Sequence, residues 1–372
     1  MGSTNDSSAA KKKPSSRKAR LSNLAKREER LALRLLLPAL LIIALIAFYP
    51  LAQVFYTSFT DRVFASGQET NFVGFDNYRR LLSVHVTTLD PVLDEATGEI
   101  MIDADSGEKV YERPLDVLPR EPRRFREVNQ FDLFGNRYVI GATDPSFIQS
   151  VSNTVVFTVV SVFLELILGL AIALVVNSKF RFRGSMRAAM LVPWAVITVV
   201  SARMWEWMLA PSRVGMFNAL FDRLGMIESP IAFLAAGTYQ LPAMIAVDVW
   251  KTTPFMALLL LAGLQTMPED IFEAAEIDGA GKIRQFFTIT LPLLKPAMAV
   301  ALIFRTLDAL RVFDIFQVML GQAQYSMASY NYFQLIGNRA MGLASAIGVI
   351  IFILIFGFAI AYIKMLGVDR NE

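Results

Sequence analysis

Charged residues set inside long apolar stretches are where this chain could do chemistry. Asp248, Trp250, Lys251, Thr252 and Thr253 fall near the middle of one such stretch, with Pro254 next. Arg305, Asp308, Arg311 and Asp314 recur every third residue in another, with alternating sign, and Glu165 is the lone acid of a third. Charge at membrane depth is costly and normally faces a partner or a wet cavity. Fixed donors and acceptors beside an aromatic ring suit a polyhydroxylated solute, with apolar ring faces to stack and many hydroxyls to bond. The bland alternatives stay open. The 305–314 set also reads as a self-neutralised ladder at a subunit interface, with neighbours paired along one helix, and this is preferred to sugar contact. Trp250 equally suits lipid or core, and Glu165 reads better as a buried hydrogen bond between helices than as a proton relay. Arg203 and Glu206, with Trp205 and Trp207, read as an interfacial anchor.

Other chemistries are excluded by composition. There is no Cys and only one His, His85, so disulfide frameworks, thiol chemistry and Cys-based metal sites are ruled out. No phosphate-loop pattern occurs, and with it no ATP site is assigned to this chain. At 54% hydrophobic and 19% charged residues, the sequence belongs to the membrane class. The Ser-rich, basic segment 1–34 precedes an apolar run without charge from Leu35 to Thr60, so it reads as a disordered cytoplasmic tail; nucleic acid is not a partner.

One segment, 268–292, is patterned differently. Pro268 suits the first helical position, Glu269 and Asp270 sit where the helix dipole favours negative charge, and Gly279 is a natural terminator. Ile271, Ala274 and Ala275 share a face, Glu269, Glu273 and Glu276 form an acidic stripe, and a second short run passes Phe286 and Phe287 to Leu291. A partner surface could grip such a helix pair. Glu273, Ala274, Ala275, Asp278, Gly279, Ala280, Ile289, Leu291 and Pro292 together resemble the signature of the membrane-spanning subunits of ATP-binding-cassette importers.

That resemblance implies a non-enzymatic permease of the inner (cytoplasmic) membrane. It would pair with a second, homologous permease and with two copies of an ATPase that carry ATP and Mg. Each ATPase would receive one Glu-Ala-Ala helix in a cleft, and an extracytoplasmic binding protein would deliver substrate. Residues 250–254 and 304–308 look like the carbohydrate branch, nearest to maltose and trehalose importers, which implies an oligosaccharide such as maltose, trehalose or maltodextrin. A permease for another solute class is the alternative; an ion-coupled secondary transporter is a weaker one, since no internal repeat is found.

The elements that must position these residues form an all-α polytopic protein of about six spans, at 35–60, 151–177, 186–209, 239–266, 293–316 and 343–365. Lys179, Arg181, Arg183 and Arg187 follow the second span, Lys282, Arg284 and Lys295 the fourth, and Arg339 alone the fifth, which puts both termini and the 268–292 loop in the cytoplasm. Residues 61–145 read as a small β-rich extracytoplasmic insert with short strands at 99–103 and 109–112. Its flanks resemble the family, whereas 83–143 departs from it. Residues 146–366 form the permease core, 367–372 a cytoplasmic C-terminus, and 210–237 reads as short interfacial helices.

Overall fold

The computed structural model describes residues 23–94, 98–103, 107–235 and 237–365. Most of the basic tail and all of 367–372 lie outside them. Among the described residues, five helical stretches are long and apolar enough to cross a membrane, or six if one bent pair counts as a span.

The chain divides into two units, 1–53 and 54–372. In the first, α1 (Asn23–Ile43) passes through a π turn at Ala44–Phe48 into α2 (Tyr49–Thr57), with Pro38 inside the helix. Every described side chain from Glu28 to Pro50 is exposed, as expected of an apolar helix that meets lipid or a partner.

The second unit takes in the end of α2 from Val54 and then the insert. After α3 (Asp76–Leu82) come β1 (Val84–Leu89), the short α4 (Pro114–Val117), β2 (Arg126–Leu133) and β3 (Asn136–Ala142). The three strands make one antiparallel sheet in the order β1-β3-β2. Phe134 and Gly135 both take positive φ, which matches the twist a two-residue hairpin turn requires. Leu89, Leu118 and Val139 form a small core beneath the sheet. The strands expected at 99–103 and 109–112 are instead isolated bridges, Leu93 to Ile100, Ile102 to Lys109 and Pro91 to Tyr111.

Beyond the sheet, Asp144 caps α5 (Pro145–Asn177) by accepting from the Phe147 N–H at 3.1 Å. The same carboxylate accepts from the Tyr330 hydroxyl at 2.7 Å, which fixes where the sheet hands over to the helix. Burial and this bond to an anion push the Tyr330 hydroxyl well above its ordinary range.

The straight third helix expected at 186–209 is not formed. The stretch is α6 (Arg183–Met190), α7 (Val192–Ala195) and α8 (Thr198–Met208), bent by 87° between Ala195 and Thr198. Pro193 sits in the first turn of α7, and Val196 and Ile197 are extended. A short helix, α9 (Met216–Arg223), follows.

Next come α10 (Gln240–Gln265), which continues through Pro254, α11 (Glu269–Ile277) and α12 (Lys282–Gln285). From α12 the chain runs through a π turn at Phe286–Thr290 into α13 (Leu291–Ala309) without a break. The fifth span therefore starts inside the patterned segment. α14 (Asp314–Met319), α15 (Met327–Tyr332) and α16 (Met341–Met365) complete the unit.

α5, α10 and α13 pack together as the centre of this unit. Within a bilayer, helix association rests on close packing rather than on expulsion of water. Gly263 shows the requirement: a Cβ there would lie 2.4 Å from the Ala297 Cβ, so α10 and α13 approach only because that position has no side chain.

Candidate functional site

Arg305, on α13, is the hub of the central helices. Its side chain is 3% exposed and contacts three carboxylates. Nε and Nη2 donate to Glu165 of α5 at 2.5 and 2.9 Å, Nη2 also meets the Asp248 carboxylate of α10, and Nη1 donates to Asp308 at 2.9 Å. The Thr252 hydroxyl adds a bond to Glu165 at 2.6 Å. A planar fork with five donors suits this use, since bidentate pairing offsets the cost of taking charge out of water. Glu165 is thus a hydrogen-bond partner between helices.

The 305–314 set does not form a ladder along one helix. Among its members only Arg305 and Asp308 pair. α13 ends at Ala309, Arg311 lies in the break with its Nε donating to the Leu307 carbonyl at 3.1 Å, and Asp314 opens α14.

Lys251 has a place no spacing rule could give it. Its Nζ donates at 2.5 Å to the Val196 carbonyl, at the bend of the third span. Non-helical backbone at membrane depth persists only where its polar groups are satisfied or wet, and Lys251 meets one of them. Pro193 was the sequence signal for that bend.

A cavity of about 170 Å³ opens beside these groups. Asp248, Lys251, Thr252, Arg305, Asp308, Arg311 and Asp314 line it, together with Thr198 from the far side of the bend. Trp250 does not. Two residues along a helix are about 200° apart, so Trp250 faces away from Asp248 and Thr252. It packs edge-to-face on Trp205 at 5.5 Å, and Trp205 stacks on Phe217 at 5.7 Å. These contacts put Trp250 in the packing between α8, α9 and α10, which is one of the readings its sequence left open.

The second candidate region is the turn between α11 and α12. Gly279 has φ of 76°, its N–H donates to the Glu276 carbonyl at 3.0 Å, and the Ala280 N–H donates to the Ala275 carbonyl at 2.8 Å. This is a Schellman cap, which needs a residue without a side chain at Gly279. Glu276 pairs with Lys282 across the turn, and that bond holds its carboxyl below the usual range. Lys179 reaches Glu269 at 3.2 Å and ties α11 to the end of α5. Glu273, Ala274, Asp278 and Pro292 are exposed, while Ala275, Ala280, Ile289 and Leu291 are half-buried. The sequence reading missed two residues here: Ile277 and Ile283, on either side of the turn, are 88% and 78% exposed. Their apolar character next to the acidic stripe was the available signal.

Residues 140–364, which hold both regions, match the family described as binding-protein-dependent transport system inner membrane component. The chain belongs to that family. The permease is 48% identical over 225 residues to the trehalose/maltose transport system permease protein MalF of Thermococcus litoralis, covering 59% of this chain and 74% of that one. It is 32% identical over 340 residues to the sulfoquinovosyl glycerol transport system permease protein SmoG of Agrobacterium fabrum, covering 90% of each. A chain in the crystal structure of a bacterial ABC transporter for import of the acidic polysaccharide alginate shares the fold, with a TM-score of 0.66 at 18% identity over 94% of this chain and all of that one. As a member of this family the permease is a non-enzymatic membrane subunit, and the ATPase is a separate subunit.

Proposed function

We propose that this permease forms, with a second homologous permease, the path of an oligosaccharide of the trehalose, maltose or maltodextrin kind across the inner membrane. The observation that carries this reading is the cavity around Asp248, Lys251, Asp308, Arg311 and Asp314, a cluster of fixed donors and acceptors inside an otherwise apolar bundle. Similarity to a trehalose/maltose permease supports the substrate class.

In this reading the N- and C-termini are cytoplasmic and the β-sheet insert is extracytoplasmic, supported by the Lys and Arg residues next to α5 and α11. Two ATPase subunits bind ATP and Mg, and each permease offers one turn, here Glu273 to Gly279, to an ATPase cleft. Because α12 is continuous with α13, closure of the ATPases would move α13 as a lever. Arg305 would carry the movement to α5 and α10. A binding protein delivers the sugar from outside.

The test is co-purification of the tagged permease from its native membrane, followed by ATPase assays of the reconstituted complex. Recovery of a cassette ATPase and a second permease, with hydrolysis stimulated by trehalose or maltose through the binding protein, is expected. Recovery of this chain alone would overturn the reading.

A further inference from the structure

Where α5 ends, the chain turns from apolar to strongly basic within a few residues. Leu166 to Val176 carries no charge, and Lys179, Arg181, Arg183 and Arg187 then follow within nine residues, 179–187. No acid lies between Glu165 and Glu206, so the segment has no counter-charge of its own. Lys179 finds one on α11, in Glu269. Among the described residues no carboxylate pairs with Arg181, Arg183 or Arg187.

Arg187 serves as a tether. Its Nη2 donates at 3.3 Å to the Val176 carbonyl, one of those that the end of α5 leaves without a helical partner, and so holds α6 against that end. Arg181 and Arg183 stay exposed. Arg181 lies over the Phe182 ring, 5.6 Å from its centroid, and Phe182 is itself 66% exposed. Phe180, Met186, Val192 and Trp194 are further uncovered apolar groups of the same stretch.

Orienting a loop toward one side of a membrane needs only a surplus of Lys and Arg. Arginines that alternate with exposed aromatic rings, directly after a membrane-length helix, can do more. The rings enter the boundary of the acyl chains, and the guanidinium groups meet phosphate oxygens above it. A water-soluble acidic ligand would satisfy the arginines and leave the rings in water.

We propose that Phe180 to Arg187 forms a binding site for an anionic phospholipid, with Arg181 and Arg183 on the headgroup phosphate and Phe182 among the acyl chains. Nothing in it depends on which solute the permease carries.

The test uses the whole complex, with its ATPase and partner permease, in detergent supplied with phosphatidylglycerol and phosphatidylcholine in equal amounts. Bound lipids are counted by native mass spectrometry as lipid is titrated in, and assembly is checked by co-purification. The unaltered complex is expected to take phosphatidylglycerol in preference, and the preference should fall as salt is raised. Arg181→Gln and Arg183→Gln should each weaken phosphatidylglycerol binding about fivefold, and the two together by about tenfold or more. Arg181→Lys with Arg183→Lys, which keeps the charge, should bind nearly as the unaltered complex does. Lys295→Gln with Lys364→Gln, two exposed cations near the start of α13 and the end of α16, should leave binding unchanged.

Binding without preference for phosphatidylglycerol, or a preference that salt does not alter, overturns the proposal even where a variant fails to assemble. An equal loss in the Lys295 and Lys364 variant also overturns it, since the lipid would then follow diffuse surface charge. So does a double Gln variant that keeps its lipid and loses its ATPase, because the arginines would then face that subunit. None of these results touches the reading of the chain as a sugar permease.

Discussion

The Arg305 hub and the turn around Gly279 treat their side chains in opposite ways. In the hub, one buried guanidinium is shared among Glu165, Asp248 and Asp308, and three helices are joined through it. At the turn, the charges are exposed or paired at the surface, and the bulky apolar groups Ile277 and Ile283 stand free. A region that must hold its shape within a membrane satisfies its polar groups internally. A region built to meet another protein leaves apolar surface uncovered, because that surface is satisfied only on docking.

Breaking the hub should have the largest effect. Arg305→Leu leaves Glu165 and Asp248 buried without their cation, a loss of about 3–5 kcal/mol for a broken buried pair. Little folded permease is expected in detergent extracts, measured by size-exclusion recovery. Arg305→Leu combined with Glu165→Gln and Asp248→Asn should regain folded protein without regaining uptake. Wild-type recovery of the single variant would show that the hub does not hold the helices together.

At the turn the effects should fall on association instead. Ile277→Ser and Ile283→Ser each remove an apolar contact worth about 1.5–3 kcal/mol when fully buried. Permease yield should be unchanged, while co-purified ATPase drops by about tenfold or more. Unchanged ATPase recovery would place docking on other residues.

Gly279→Val sharpens the comparison, since it alters backbone conformation without touching a docking side chain. A branched residue at φ of 76° is strained by about 1–2 kcal/mol. The complex should assemble, but uptake per ATP hydrolysed should fall. Uptake and hydrolysis that keep the wild-type ratio would argue against a lever.

The smallest effect concerns pH. Glu276 is held below the ordinary carboxylate range by Lys282, so the pair contributes above the unfolded value and is lost only as pH falls through the lower folded one. Hydrogen exchange of the Gly279 and Ala280 amides should therefore be equally protected at pH 7 and pH 5, after correction for intrinsic rates. Loss of protection by pH 5 would show that the pair does not hold the turn.

Much of this was legible in the sequence because it follows local rules. The Gly279 cap, the helix before it and most spans depend on composition and spacing within a few residues. The hub was legible only in part: Glu165 could be read as a partner for another helix, but which helix is a question of packing. Arg311 and Asp314 show the limit, since the regular spacing of the 305–314 set suggested a ladder that the end of α13 at Ala309 removes. Trp250 could not be placed from its polar neighbours in sequence, and it is its helical position that turns it toward Trp205. The bend at Val196 needed Pro193 to be weighed above the uncharged run from Ala188 to Ala202 around it.

That bend has a consequence for how the chain is made. The carbonyl of Val196 is met by Lys251, which lies one span later in the chain. When residues 183–208 leave the ribosome their partner has not yet been synthesised, so the two half-helices cannot settle until α10 has entered the bilayer. The third and fourth spans are therefore expected to be retained together by the insertion machinery, and a nascent chain halted before Lys251 should still be held there.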